Sequence, residues 1–257
     1  MILPEFTIIK DLQKLRSFIN GKHTFSISGP LQVGSEFMLA VCYVHEAPEC
    51  VCVHLPLEQV GAVADILFSN RERRVSVHAL EEIMVWFLRH GAGLYAEMFL
   101  DISLAAYLLD PPSPDRGEDW RKFLLSNLVQ EHLRERYPLV YKDVLENEYP
   151  QAIYMRLIQD ALYVWRLAFI LVKRILADET LLQPYWELEI LLTSVLADME
   201  YRVIGLDRTH IVQALPRVEK ALDVLGDQLA SLNGGPLNLG SEHDMRTAIN
   251  EKQPHRR

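Results

Sequence analysis

Apolar residues recur at Leu12, Leu15, Phe18 and Ile19, the spacing of one helix face, and predict a helix over Lys10 to Asn20 that Gly21 ends. Thr24 to Ser28 reads as a short strand. Glu36 to Val44 and Glu49 to Leu55 are β-rich runs parted by Glu46-Ala47-Pro48, which predicts a hairpin. A helix over Leu57 to Phe68, a fourth strand over Arg74 to His78 and a helix over Glu81 to His90, closed by Gly91, complete this part.

From Asp101 onward the pattern is almost entirely helical. The loop Asp110-Pro111-Pro112-Ser113-Pro114 is one that no helix crosses. Trp120 to Tyr137 alternates apolar and charged residues at helical spacing. Ile153 to Leu176 is a long apolar helix, expected at the centre of the core. Pro184 precedes a further helix, Glu187 to Met199. Along Asp207 to Leu232 runs an apolar stripe of Val212, Leu215, Val218, Leu222, Leu225 and Leu229, with Pro216 expected to interrupt the helix early. That stripe either folds back on the preceding domain or takes a partner. Asn233-Gly234-Gly235-Pro236 is a turn, and the tail from Glu251 is polar. Strands first and helices after predict an α/β (α+β) fold with a mixed sheet and a helical C-terminal extension.

The balance of 49% apolar and 24% charged residues in 257 is that of an ordinary globular chain. No apolar run approaches the ~18 residues of a membrane span, and Met1 to Lys10 lacks the pattern of a secretion signal, so no membrane partner is expected. Cys42, Cys50 and Cys52 have no matching Cys/His pair at zinc spacing and read as buried thiols of an intracellular protein. The net charge of -9 argues against a broad phosphate-gripping face, and Arg71, Arg73 and Arg74 read as a solvated loop.

Three segments carry a resemblance. The first is Glu187-Leu188-Glu189-Ile190-Leu191-Leu192, continuing through Val195-Leu196-Ala197-Asp198-Met199-Glu200 to Gly205-Leu206-Asp207. The second is Leu237-Asn238-Leu239-Gly240-Ser241 with Glu251-Lys252-Gln253. The third is Asp101-Ile102-Ser103-Leu104-Ala105-Ala106-Tyr107-Leu108-Leu109-Asp110-Pro111. In order and spacing they resemble segments of family A DNA polymerases, and the Pro-rich loop is similar to the nu and theta branch. The resemblance implies a ribonuclease H-like 3′-5′ exonuclease domain over residues 1–178. The start of a polymerase domain, with its thumb helices, would follow over residues 179–257.

It also implies where metal ligands would stand. The proofreading reaction of that family uses two divalent ions, which need carboxylate oxygens. Its F-D-x-E strand is matched by Phe25-Ser26-Ile27-Ser28, so Ser26 and Ser28 replace both acids. Its second aspartate falls on Ile83, or on Glu82 after a one-residue slip. Its Y-x-x-x-D pair falls on Arg156 and Asp160, where an ion pair is the simpler expectation. In the thumb segment, Asn238 and Ser241 fall where primer-strand contacts are made, and His243 replaces a lysine. The palm and fingers motifs are absent from these residues.

The expectation is therefore a non-catalytic module without a cofactor. It would support DNA replication or repair through weak DNA contacts or contacts with replication or repair proteins, in the nucleus if the cell is eukaryotic. A residual Mg²⁺-dependent exonuclease using Asp160, Glu82 and Glu36 is the alternative. A truncated product of a longer polymerase is the third reading.

Overall fold

The computed structural model describes residues 4–113, 120–137, 150–205 and 207–235, together with 238, 241, 245 and 246. These form two compact units, Met1–Val203 and Ile204–Arg257.

The first unit is built on a six-stranded sheet. Its strands are β1 (Phe6–Ile9), β2 (Thr24–Val33), β3 (Glu36–Val44), β4 (Pro48–Pro56), β5 (Arg74–Val77) and β6 (Phe99–Asp101), in the order β1-β4-β3-β2-β5-β6. The central β2, β3 and β4 pair antiparallel, and β1, β5 and β6 join in parallel. The mixed sheet matches expectation. Two short parallel strands, β1 and β6, extend it beyond the four strands the pattern predicts, because three or four residues are too few to show a period.

Alternation along the strands sorts the core into two layers. Phe25, Ile27, Phe37, Leu39, Val41, Val51 and Val53 point to one face, where they meet Leu15 and Ile19 of helix α1 (Leu12–Ile19) and Val63 and Leu67 of α2 (Val60–Phe68). Met38, Ala40, Cys42, Cys50 and Cys52 point to the other face and meet Ile153, Leu157 and Ile158. All three cysteines are free and buried, as expected of strand thiols.

Asp11 caps α1 by accepting from the Gln13 amide. Helix α3 (Leu80–Arg89) follows β5, and Asp101 at the end of β6 caps α4 (Ile102–Leu109). The other Asp101 carboxylate oxygen accepts from Leu80 N at 2.7 Å, so one buried acid fixes the starts of two helices.

Trp120 to Tyr137 does not form one helix. It breaks into a 3₁₀ turn (Trp120–Phe123), a short α5 (Leu125–Leu128) and a π turn (Val129–Leu133). Extended backbone at Leu124 and left-handed backbone at Arg134 (φ 58) set the breaks.

The long apolar pattern is α6 (Pro150–Leu176). Its first half covers the sheet and its second half joins the layer that holds α4. Asp178 then caps α7 (Glu179–Gln183), and Pro184 opens a π turn that runs into α8 (Ile190–Arg202). The helical run thus starts before Pro184. Helix α7 packs on α6 and α8 on α3, which carries the first unit past residue 178.

In the second unit α9 (Arg208–Asn233) passes through Pro216 without ending. None of its residues is buried. Pro216 removes one backbone hydrogen bond from that helix.

Candidate functional site

Strand β2 sends Ser26 and Ser28 to the α6 side of the sheet. Ser26 is fully buried, and its hydroxyl donates to the Ala161 carbonyl at 2.7 Å. Ser28 lies two residues further along and lines an open cleft of 480 Å³. Gly29 and Pro30 continue that wall. At Gly29 the backbone is left-handed (φ +95), and a Cβ would stand 3.0 Å from Met38 O. Any side chain there meets both backbone strain and a tight contact.

On the opposite wall, Ala79 adopts left-handed backbone (φ 59) and turns the chain into α3. This places both Glu82 and Ile83 on the cleft lining, Glu82 exposed and Ile83 buried. His78 is held there by a 2.9 Å bond between Nε2 and Phe123 O. Trp86, one turn on, completes the wall.

From α6, Asp160 lines the same cleft. Arg156 Nε stands 3.0 Å from Asp160 Oδ1, and Tyr137 Oη donates to the same oxygen at 3.0 Å. The guanidinium stacks on the Tyr137 ring at 3.9 Å. Both partners of the ion pair are buried, at 4% and 1% exposure. Burial, reinforced by the Asp160 charge, pushes the Tyr137 phenol well above its ordinary range, so Tyr137 acts as a hydrogen-bond donor. The segment carrying Tyr137 is tied to α6 a second time, by Arg166 on Glu135 at 2.7 Å.

The structure thus gathers Ser28, Glu82, Ile83 and Asp160 around one cleft, with Ser26 and Arg156 buried beside it. Glu36 stands apart from that lining. It accepts from His54 Nε2 at 2.9 Å, and His54 Nδ1 bonds Tyr154 Oη at 2.6 Å. Asn238 and Ser241 belong to the second unit, where Ser241 N donates to Asn238 O. His243 and Glu251-Lys252-Gln253 lie outside the described residues. Tyr137 is the site residue the sequence did not disclose, since its partner lies across an unrelated stretch of chain.

Arg71, Arg73 and Arg74 serve local structure. Arg73 Nη1 donates to the Ile66 and Leu67 carbonyls at the end of α2, Arg74 donates to the Arg71 carbonyl, and Arg71 stacks on Tyr95.

A pair of divalent ions needs several carboxylate oxygens converging on one point. Among the described residues no group of three or more His, Cys, Asp or Glu side chains is placed to hold a metal ion. The oxygens of Asp160 already face a guanidinium and a phenol. The residues present do not fit such a centre.

No known family profile matches the chain, and no curated protein matches it in sequence. Solved structures do match. The POL domain of Pol1 from M. smegmatis, in complex with DNA primer-template and dNTP, superposes over 96% of this chain with a TM-score of 0.62 at 17% identity. The fold is ribonuclease H-like. Brucella melitensis NrnC bound to pGG matches 77% of the chain (TM-score 0.51, 14% identity). The catalytic core of RRP6 from Trypanosoma brucei matches 74% (TM-score 0.50, 16% identity). The chain spans 41% of the mycobacterial polymerase chain, 52% of the RRP6 core and 93% of NrnC. Among the described residues no helix is long and apolar enough to cross a membrane.

Proposed function

We propose that this chain is a nucleic-acid-associated module, related to family A DNA polymerases, that engages DNA or a replication or repair protein without cleaving phosphodiesters. The observation that carries the reading is the sealed Asp160. A carboxylate bonded to Arg156 and Tyr137 is neutralised in place, and a metal would have to displace a buried guanidinium to reach it. Ser26 supports the same reading, because its hydroxyl is committed to the Ala161 carbonyl.

The cleft itself persists. At 480 Å³ it has room for a nucleotide, with Trp86 and His78 on one wall for stacking and hydrogen bonding. Two of the matching structures were determined with DNA or pGG bound. The exposed Glu82 and the net charge of -9 oppose phosphate, so contact with DNA is weak.

The test is incubation of labelled single-stranded DNA with the purified chain and Mg²⁺ or Mn²⁺, alongside a gel shift at low salt. Intact DNA with a retarded band is the expected result. Degradation that Asp160→Ala abolishes would establish the exonuclease reading instead. Intact DNA with no shift, and no replication or repair protein recovered with the chain, would remove the proposal.

A further inference from the structure

Cys42 and Cys50 stand directly opposite one another on β3 and β4, in the register that also pairs Tyr43 with Glu49 and Val44 with Pro48. Both side chains belong to the layer that meets α6, and their sulfurs lie 2.7 Å apart. Residues directly opposite in an antiparallel ladder have Cα atoms about 4.5–5.5 Å apart, inside the ~4.4–6.8 Å that a disulfide bridges. Joining these two sulfurs asks only for side-chain rotation.

The third cysteine is an internal control. Cys52 lies two residues further along β4 and belongs to the same layer, but the residue across from it is Ala40. The register therefore offers one cysteine pair and leaves Cys52 without a sulfur across the ladder.

From this placement we propose that Cys42 and Cys50 are an oxidisable dithiol, a cross-strand disulfide site that closes with hydrogen peroxide and reopens with a thiol reductant. Cys50 directly follows the exposed residues 45–49 at the open end of the hairpin, so a small oxidant meets it first. Its thiol takes one oxygen from the peroxide and becomes a sulfenic acid, with release of water. The Cys42 sulfur then bonds to the Cys50 sulfur, and the sulfenic oxygen leaves with the Cys42 proton as a second water. Two sulfurs are oxidised and one peroxide is reduced. Burial holds the Cys42 thiol above its ordinary range, so the second step is slow at neutral pH and quickens as pH rises. The bond ties β3 to β4 and takes the Cys42 proton away from Ile158 O on α6, which the sulfur faces at 3.8 Å. This inference is independent of what the cleft binds.

The test treats the full chain with hydrogen peroxide, removes the excess, and counts thiols after unfolding with a chromogenic thiol reagent. A fall from three thiols to one is expected, and dithiothreitol should restore all three. Peptide mapping locates the bond without any variant. Cleavage after Glu46 and Glu49 separates Cys42 from Cys50 and Cys52, so a peptide pair lighter by two hydrogens than its parts reports the link, and fragmentation assigns the sulfur. Cys52→Ala should still lose two thiols, and Cys50→Ala should form no link. Three thiols that survive the peroxide, oxidation to sulfinic acids without a link, or a link made through Cys52 would each overturn the inference.

Discussion

Arg156 and Asp160 stand one turn apart on α6, with Nε 3.0 Å from Oδ1 and both side chains almost wholly out of water. A pair so buried contributes little net stability, because desolvation offsets most of the attraction, yet removing one partner leaves a bare charge. Arg156→Leu should therefore cost about 3–5 kcal/mol in urea unfolding. Adding Asp160→Leu should restore most of that loss. Equal instability of the single and double variants would show that the arginine stem, rather than its charge, matters.

Gly29 forms the cleft wall where β2 meets β3 across a register shift. Gly29→Ala must accept left-handed backbone and a Cβ 3.0 Å from Met38 O, 3.2 Å from Leu31 N and 3.5 Å from Leu157 Cδ2. A loss of about 2 kcal/mol is expected, with a fall in thermal midpoint. Gly21→Ala is the contrast. Its backbone is also left-handed, but nothing lies near it, so about 1 kcal/mol is expected there.

Burial pushes the Cys52 thiol up to about 12, and burial together with Cys50 raises Cys42. In the unfolded chain these thiols ionise near pH 8.5. The unfolded state then binds fewer protons than the folded one, so stability is full below that pH and falls as pH rises toward 12. Cys52→Ala should flatten the decline between pH 9 and 12 by about 1.4 kcal/mol per pH unit, measured by urea midpoints across that range. An unchanged slope would mean that Cys52 is exposed to solvent in the folded protein.

Much of this architecture was legible because period-two alternation is local. Phe25, Ile27, Phe37 and Leu39 announce one face of the sheet wherever the chain goes next. Of the positions named from the resemblance, Ser28, Ile83 and Asp160 line one cleft and Ser26 is buried beside it. What stayed hidden is non-local or conformational. Strands β1 and β6 gain their identity only from the neighbours they pair with. The left-handed Arg134 leaves no mark in the apolar pattern, so Trp120 to Tyr137 read as one helix. Tyr137 meets Asp160 only after the chain has returned along α6. Pro216 misled in the opposite direction, since α9 runs through it.

Tyr185 is fully buried, and its hydroxyl donates to the Asp101 carbonyl at 3.1 Å. It thereby joins the π turn before α8 to the end of β6. Tyr185→Phe removes the bond but keeps the ring. A loss of about 1–2 kcal/mol should follow in urea unfolding. Burial also holds the Tyr185 phenol well above its ordinary range, so the wild-type chain should lose stability above about pH 10, and the variant less so.

Glu82 is exposed on the cleft lining, on the opposite wall from Ser28. If nucleic acid enters this cleft, its phosphates meet that carboxylate, and no lysine or arginine is among the described residues of the lining. Replacing the charge should then help rather than harm, the reverse of what a metal-ligating acid would show. Glu82→Gln should tighten single-stranded DNA binding several-fold at low salt, and Glu82→Lys further. Glu82→Lys should also steepen the salt dependence, by about 0.7 in the slope of log affinity against log salt. Fluorescence anisotropy with a labelled oligonucleotide reads both quantities. Weaker binding in Glu82→Gln, with Mg²⁺ needed for the wild-type affinity, would mean that Glu82 holds a cation against phosphate and that the cleft keeps part of a catalytic design.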